Sequence, residues 1–376
     1  MAMTTARRDW NLGMVGAREA WEHLPKHADG AIDWGDIRVG HLDTGYTRHP
    51  IFGDWDAGKS WLRPDLGGDI VASTDDPLDP LDYEGNPGHG TRTSSVICGN
   101  ARLIDPDDES EIGVAPGLPV VPFRCVTSVV LIRERHREAV AEAIDRAVNV
   151  GCQVISISLG VPFFSPNHTG GLGKAVDRAY KKGVIIAAAG GQVIDRVTYP
   201  GKFNRTIGCG GLTWQRRIWW DYANGQDMID VWAPAEGVLV ADRFVAVEGD
   251  DPGSFAVDGI DQDGGSSSSS GSLSALSGSS GKLTKSTGTS FATAHVAAAA
   301  AMWLRFRGAA LDAAYDKPWQ RVEAFRQLLK HRTMRRINGP SLPNGSRTLT
   351  INRLLEAKLP NAADLQKAKK DAKKSL

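Results

Sequence analysis

No excess of charge of either sign marks this chain: 44 Lys and Arg balance 44 Asp and Glu over 376 residues. That neutrality removes the electrostatic reason to expect a nucleic acid or an anionic membrane as partner. Long apolar runs are missing too, and the longest, Val296 to Leu304, is far too short to span a bilayer. Cysteine is scarce. Cys98, Cys125, Cys152 and Cys209 have neither metal-ligand nor CxxC spacing, so they read as buried thiols in a reducing compartment. The amino terminus, MAMTTARRDWNLG, has two arginines but no apolar segment behind them, so a secretory leader is not expected and a cytoplasmic location is. With 41% hydrophobic and 23% charged residues, global disorder is excluded as well.

What is present is alternation. Ile37–Leu42, Val120–Arg124, Val154–Leu159 and Val184–Ala189 are short, apolar and rich in β-branched residues, which predicts buried strands. Between them, Leu131–Val150 repeats apolar residues at Val140, Ile144 and Val148, and Leu172–Lys182 has a similar helical pattern. Strand and helix in turn imply right-handed crossovers and an α/β fold, a mostly parallel sheet covered on both faces. In such sheets functional residues gather at the carboxyl ends of the strands. One domain over residues 1–361 is expected. It is broken by an acidic, then Gly/Ser-rich insertion at 248–281, which cannot bury a core, and followed by a basic tail at 362–376 that reads as a frayed helix. Asp258, Asp261 and Asp263 in the insertion have a faintly calcium-like spacing but read better as a solvated acidic loop.

Three short motifs carry chemistry. The first strand runs into Asp43-Thr44-Gly45, an arrangement that fixes a carboxylate at a strand end. Gly88-His89-Gly90-Thr91 places a histidine between glycines that leave its ring accessible. Gly288-Thr289-Ser290 opens an alanine-rich helix expected over Phe291–Arg307, where free N–H groups and the helix dipole favour a developing negative charge. Taken singly these are a strand-end turn, a structural histidine and an N-cap serine. Together, an acid, a base and a hydroxyl nucleophile are the parts of acyl-transfer catalysis.

With VGHLDTGYTRHP, GHGTRTSSVICG, GVAPGLPVVPFR, VISISLG, VIIAAAG, TYPGKF, DVWAPAEG and GTSFATAHVAAAAA in this order, the chain resembles the subtilisin-like serine peptidases, the peptidase S8 family. The likeness covers roughly Trp10 to Gly308 apart from the insertion. It implies a subtilisin-like three-layer α/β/α fold, with Asp43 as orienting acid, His89 as general base and Ser290 as nucleophile. It further implies that Ser158, Leu159 and Gly160 offer a main-chain edge to an extended substrate. Ala188, Gly190, Tyr199 and Pro200 would then wall the pocket for the side chain before the scissile bond. The opening WNLGMVGAREAW looks like the start of a mature family domain, so folding without a pro-domain is expected.

The departures from the family are informative. Most members follow the AAAG run with an asparagine that completes the oxyanion hole; here Gly191 stands in its place and brings no donor. Loss of one such donor is worth about 10²–10³ in rate in this family. Gln192, one residue on, or the Thr289 hydroxyl would make good the loss, and Gly191→Asn is expected to restore a donor. Arg92 follows His89 by one helical turn and is expected either to disfavour an imidazolium there or to face solvent. Trp214, Trp219, Trp220 and Trp232 read as packing residues rather than a substrate rim.

The resemblance predicts a serine endopeptidase of broad specificity acting on peptides or unfolded proteins through an acyl-enzyme. No cofactor is required; a structural calcium is compatible with the family, although no metal-ligand set stands out. A regulatory protein partner is expected to restrain such an activity in the cytoplasm. Two other outcomes are compatible with the residues: a catalytically weak protein that binds peptides without cutting them, and a peptide ligase or macrocyclase of the same family.

Overall fold

Nine of the strands described in the computed structural model join in one sheet, and the order in which they join explains where function gathers. The structure describes residues 8–103, 111–162, 170–192, 194–220, 226–242, 283–331, 334–337 and 347–371. The strands are β1 (Val39–Asp43), β2 (Gly53–Asp54), β3 (Lys59–Ser60), β4 (Gly68–Asp69), β5 (Val120–Arg124), β6 (Val154–Ile157) and β7 (Ile185–Ala189). They continue with β8 (Ile207–Leu212), β9 (Val231–Pro234), β10 (Val238–Ala241), β11 (Leu283–Ser286), β12 (Arg335–Arg336) and β13 (Arg347–Thr348). The helices are α1 (Trp10–Val15), α2 (Ala17–Trp21), α3 (His89–Cys98), α4 (Glu134–Asn149), α5 (Gly170–Lys181), α6 (Thr289–Ala314), α7 (Pro318–Leu329) and α8 (Ile351–Glu356).

The principal sheet has the order β12-β13-β9-β8-β7-β6-β1-β5-β4. Every neighbouring pair in it is parallel except β12 with β13. β1 lies between β5 and β6, so the chain crosses back over β1 between those two strands and then builds outward through β7, β8 and β9. The carboxyl end of β1 is therefore a point where the winding reverses, the place where open α/β sheets open a crevice.

Alternation along the strands sorts side chains between two layers. Leu42, Phe123, Ile155, Ile157 and Ile186 pack with Val140 and Ile144 of α4 and Val176 of α5. Their neighbours Val39, Val154, Ile185 and Ala187 face the other way, onto α6 and its surroundings. Two helical layers around one sheet make the three-layer α/β/α arrangement. The alanine run of α6 is buried almost throughout, and small side chains there let the helix lie close on β6 to β9. Among the described residues no helix is both long and apolar enough to cross a membrane.

Three expectations change. The helix expected from Leu131 begins at Glu134, because Leu131 is held outside it by its N–H donating to Gly160 O at 2.8 Å. The sequence RTSSVICG suggests a short helix over Arg92–Gly99, and that helix begins three residues earlier, at His89 itself. Most clearly, residues 362–371 do not form a frayed helix. After one 3-10 turn (Ala362–Asp364) the chain runs extended across α5 and the loop before β8. There Ala368 O accepts from Arg205 Nη2 at 2.9 Å, Ala368 N–H donates to Tyr180 OH at 3.0 Å, and the Asp371 carboxylate accepts the Asn204 and Arg205 N–H groups. Lysine content signalled exposure, but composition cannot show main-chain contacts of this kind. The insertion at 248–281 and residues 372–376 lie outside the described residues. All four cysteines are buried and unpaired.

Candidate active site

Asp43 ends β1 and is fully buried, and His89 is the first residue of α3. His89 Nδ1 stands 2.7 Å from Asp43 Oδ1, which also accepts the Thr44 N–H at 2.8 Å. On the other side of the ring, His89 Nε2 is 3.1 Å from Ser290 Oγ. Ser290 lies in the first turn of α6, where main-chain N–H groups lack carbonyl partners within the helix. Residues 43, 89 and 290, far apart in sequence, are thus joined in one hydrogen-bonded file. Burial acts to raise the Asp43 carboxyl, but the charge and hydrogen bond of His89, with His41 and the Thr44 N–H, outweigh it and leave it below the ordinary carboxylate range. A carboxylate at Nδ1 fixes the neutral ring with its proton there and leaves Nε2 as a base facing the hydroxyl.

Behind this file are residues that the sequence did not mark. His41 precedes Asp43 by two on β1, so both side chains face α3. Its Nε2 lies 2.9 Å from Thr93 Oγ1 and 3.8 Å from Asp43 Oδ2. Burial pushes His41 down to about 4 despite the pull of Asp43. Asp79 forms a second buried support. Its Oδ2 accepts from Thr44 Oγ1 and from Gly88 N, both at 2.8 Å, and from Tyr83 OH at 3.1 Å. Thr44 Oγ1 in turn accepts the Gly90 N–H at 3.0 Å. One carboxylate therefore ties the end of the strand bearing Asp43 to both residues flanking His89. Burial pushes the Asp79 carboxyl up, against these same donors.

Gly191, Gln192 and Thr289 meet at the corner beside Ser290. Gly191 has φ +93°, and a Cβ there would meet Thr198 Cγ2 at 2.6 Å. An asparagine there would be strained by its φ and would require Thr198 to shift, which counts against Gly191→Asn restoring a donor. Gln192 instead turns its side chain toward the helix start. Its Oε1 accepts both the Thr289 N–H at 2.8 Å and the Thr289 hydroxyl at 3.0 Å. Two donors converging on one end of the amide fix that end as the oxygen, which leaves Nε2 as the outward donor. The Thr289 hydroxyl is thereby engaged with Gln192.

The other expected binding residues come together beside this corner. Ser158 Oγ donates to Ser290 O at 3.1 Å, and Ser290 Oγ lies 3.5 Å from Ser158 O. Leu159 is buried, and Val161 pairs with Tyr199. Gly190 O accepts the Thr198 N–H at 2.8 Å. A Cβ on Gly160 would also collide with Thr198, at 2.8 Å, so this buried threonine packs between the Gly160 and Gly191 segments. Ala188 lies within β7, beside the Tyr199-Pro200 segment, and a Cβ on Gly201 would strike Ala189 O. At Gly160 the edge differs from a free one: its N–H donates to Val129 O at 2.9 Å and its C=O accepts from Leu131 N at 2.8 Å.

Arg92 is directed toward Asp242, with Nη2 4.0 Å from its Oδ1. Trp232 is buried in β9, Trp220 donates to Ile194 O, Trp219 packs against the core, and Trp214 is exposed at a turn. Among the described residues no three acidic, histidine or cysteine side chains come together as a metal-ligating group.

The profile described as the Subtilase family matches residues 35–356. The chain is 30% identical over 214 residues to the major intracellular serine protease of Bacillus subtilis (strain 168), a match covering 54% of this chain and 59% of that protein. To the intracellular serine protease of Paenibacillus polymyxa it is 25% identical over 194 residues, covering 49% and 56%. The matched region thus spans a little over half the length of each relative. Among solved structures, fervidolysin from Fervidobacterium pennivorans, a keratinolytic enzyme related to subtilisin, aligns with a TM-score of 0.62 at 20% identity over 96% of this chain and 48% of that one. The prenylagaramide maturation protease PagA aligns with a TM-score of 0.58 at 18% identity over 91% and 98%. At such identities the likeness is one of fold.

Proposed function

The chain belongs to the subtilase family, and on that premise we propose that it is a serine peptidase that hydrolyses peptide bonds through an acyl-enzyme on Ser290. The observation that carries the proposal is the file Asp43–His89–Ser290, at 2.7 and 3.1 Å, ending at the start of a helix. His89 Nε2 takes the Ser290 proton as Oγ attacks the substrate carbonyl, and Asp43 stabilises the imidazolium that results. The same proton then passes to the leaving amine. Water repeats the sequence on the ester.

The developing oxyanion would lie between the Ser290 N–H and Gln192 Nε2, with Thr289 holding the glutamine amide in place. Substrate would run along the Ser158–Gly160 segment, with its side chain before the scissile bond toward Gly190, Tyr199 and Pro200. Engagement at Gly160 requires the 129–131 segment to yield its main-chain bonds. Contacts to main chain imply broad specificity and unfolded or peptide substrates. Buried, unpaired cysteines support action in a reducing compartment.

The test is hydrolysis of unfolded casein together with fluorophosphonate labelling, with Ser290→Ala as control. The wild type should cut casein and take the label at Ser290. Ser290→Ala should lose the label and at least about 10⁴-fold in rate. A folded wild type that neither cuts nor labels would leave peptide binding without cleavage as the function.

A further inference from the structure

We propose that His41 is a positioning residue for the Asp43–His89 pair: its Nε2–H supports the rear carboxylate oxygen of Asp43, directly and through the Thr93 hydroxyl, and so tempers the hold of Asp43 on an imidazolium at His89. The proposal rests on the reading of Asp43, His89 and Ser290 as the catalytic set.

The two carboxylate oxygens of Asp43 are unequally served. Oδ1 has His89 Nδ1 at 2.7 Å and Thr44 N at 2.8 Å. Among the described residues Oδ2 has Thr93 Oγ1 at 3.5 Å and His41 Nε2 at 3.8 Å. Thr93 carries one hydroxyl proton, and that oxygen is also 3.0 Å from His89 O and 3.3 Å from Gly90 O, both pure acceptors. Its nearest neighbour is His41 Nε2 at 2.9 Å. If Thr93 donated to Nε2, the ring would turn a lone pair toward the Asp43 carboxylate and leave the His89 and Gly90 carbonyls without that proton. If Nε2 carries the proton, it donates to Thr93, presents its positive edge to Asp43 Oδ2, and frees the threonine proton for a carbonyl or for Oδ2. Nδ1 is then a lone pair facing Ser94 Oγ at the longer distance of 3.3 Å, while the Ser94 proton goes to Gly90 O at 2.7 Å, so Ser94 does not set the tautomer. The buried charge of Asp43 selects this second tautomer.

His41 acts as a dipole in this role, since burial pushes it down to about 4 and keeps it neutral. The other titratable groups around Asp43 come from separate elements. Cys125 on β5 has Sγ 3.7 Å from Asp43 O, and Tyr83 lies on the loop before α3; burial raises both, so they stay neutral. Arg124, also on β5, is paired with Asp69. Asp79 is bound to Thr44 and Gly88, and Arg92 on α3 is directed toward Asp242. His41 is thus the group aimed at Oδ2.

A positive edge behind Asp43 disfavours a second positive charge on His89. Its removal should therefore favour the imidazolium and move the acidic limb of the pH–rate profile upward. In His41→Leu we expect a displacement of about 0.5 pH unit, the scale of a dipole rather than a full charge. His41→Gln, which keeps an N–H at similar reach, should return the limb toward wild type.

The experiment follows the rate of fluorophosphonate labelling of Ser290 from pH 4.5 to 9 in all three proteins, with Ser290→Ala as control. An unmoved limb in His41→Leu, or an equal displacement in His41→Gln, overturns the proposal. The tautomer of His41 in the wild type, read from ¹⁵N shifts at pH 7, decides it even if neither variant folds: Nε2–H supports it and Nδ1–H overturns it. Label persisting in Ser290→Ala would instead remove the nucleophile assignment, and the proposal with it.

Discussion

Mild acid should destabilise this fold through its buried histidines, and His295 shows the size of the effect. His295 stands on α6 a little more than one turn beyond Ser290 and is fully buried. Its Nδ1 is 2.7 Å from Phe291 O, a pure acceptor, so the single ring proton must be there. Nε2 is then a lone pair and accepts from Asn11 Nδ2 at 3.0 Å, tying α1 to the helix that carries Ser290. Burial pushes His295 down to about 4 from the ordinary 6.5, against the hydrogen bond to Phe291. Because the folded value lies below the unfolded one, the unfolded chain takes up its proton first as pH falls. Stability is therefore intact above 6.5 and is lost progressively as pH falls toward 4. The gap corresponds to about 3 kcal/mol, most of which is already lost at pH 4.5. His41, also pushed down to about 4, doubles this. Against a total stability of roughly 5–15 kcal/mol, the loss is large. Asp43 and Asp230 are held below the ordinary carboxylate range, so their contribution is lost only at lower pH. Asp79 is raised and Asp371 is pushed up to about 6, both mainly by burial, and they act in the opposite direction, but equally in wild type and variant. Urea unfolding followed by tryptophan fluorescence at pH 7.0 and 4.5 should show His295→Gln losing about 2 to 3 kcal/mol less than wild type between the two conditions. An identical change in both proteins would refute the reasoning.

Gln192→Ala should reduce turnover by about 10²–10³-fold with little change in KM, as for other lost oxyanion donors, whereas Gly191→Asn should lower folded yield rather than raise activity; steady-state kinetics on a peptide anilide and circular dichroism check both. Asp79→Ala should destabilise by about 3 kcal/mol or more, because the Gly88 N–H and the Thr44 hydroxyl lose their shared acceptor in the interior, and Asp79→Asn should recover part of it in the same urea titration. Arg205→Ala should free the 365–371 segment from the body of the protein, detectable as faster removal of the carboxyl terminus in limited proteolysis, and should lower the thermal midpoint as well, because the buried Asp177 carboxylate loses its ion-pair partner.

The layered architecture was legible because it follows from periodicity. Buried strands such as Val120–Arg124 are dense in β-branched residues, and the stripe Val140–Ile144 occupies a helix face whatever the rest of the chain does. Element starts were less legible. Leu131 is as apolar as any residue of α4, but its N–H is taken by Gly160, a contact 29 positions away that no local pattern encodes. The extended course of residues 365–371 was hidden for the same reason, since its partners, Arg205, Tyr180 and Asn204, are remote in sequence.

The site divides along the same line. Asp43, His89 and Ser290 stand out because each lies in a short motif with its own local geometry. What surrounds them does not. Asp79 stands in a loop with no motif of its own, and its importance comes from reaching Thr44 and Gly88 at once. His41 is legible in part, because His-x-Asp on a strand puts both side chains on one face, but a single polar residue in an apolar strand belongs to no motif that would mark it. The oxyanion corner shows a third kind of limit. Gly191 and Gln192 are adjacent, and sequence alone can assign the donor to either register. The proposed choice of Gln192 rests on Thr198, whose side chain fills the space a Cβ at 191 would need, and on Thr289, whose two donors turn the glutamine amide. A substitution in the family's usual position is thus accompanied by a neighbour that closes that position and another that holds the replacement. On this reading Thr198, Thr289 and Gln192 function as one unit, and their effects on turnover should be strongly non-additive.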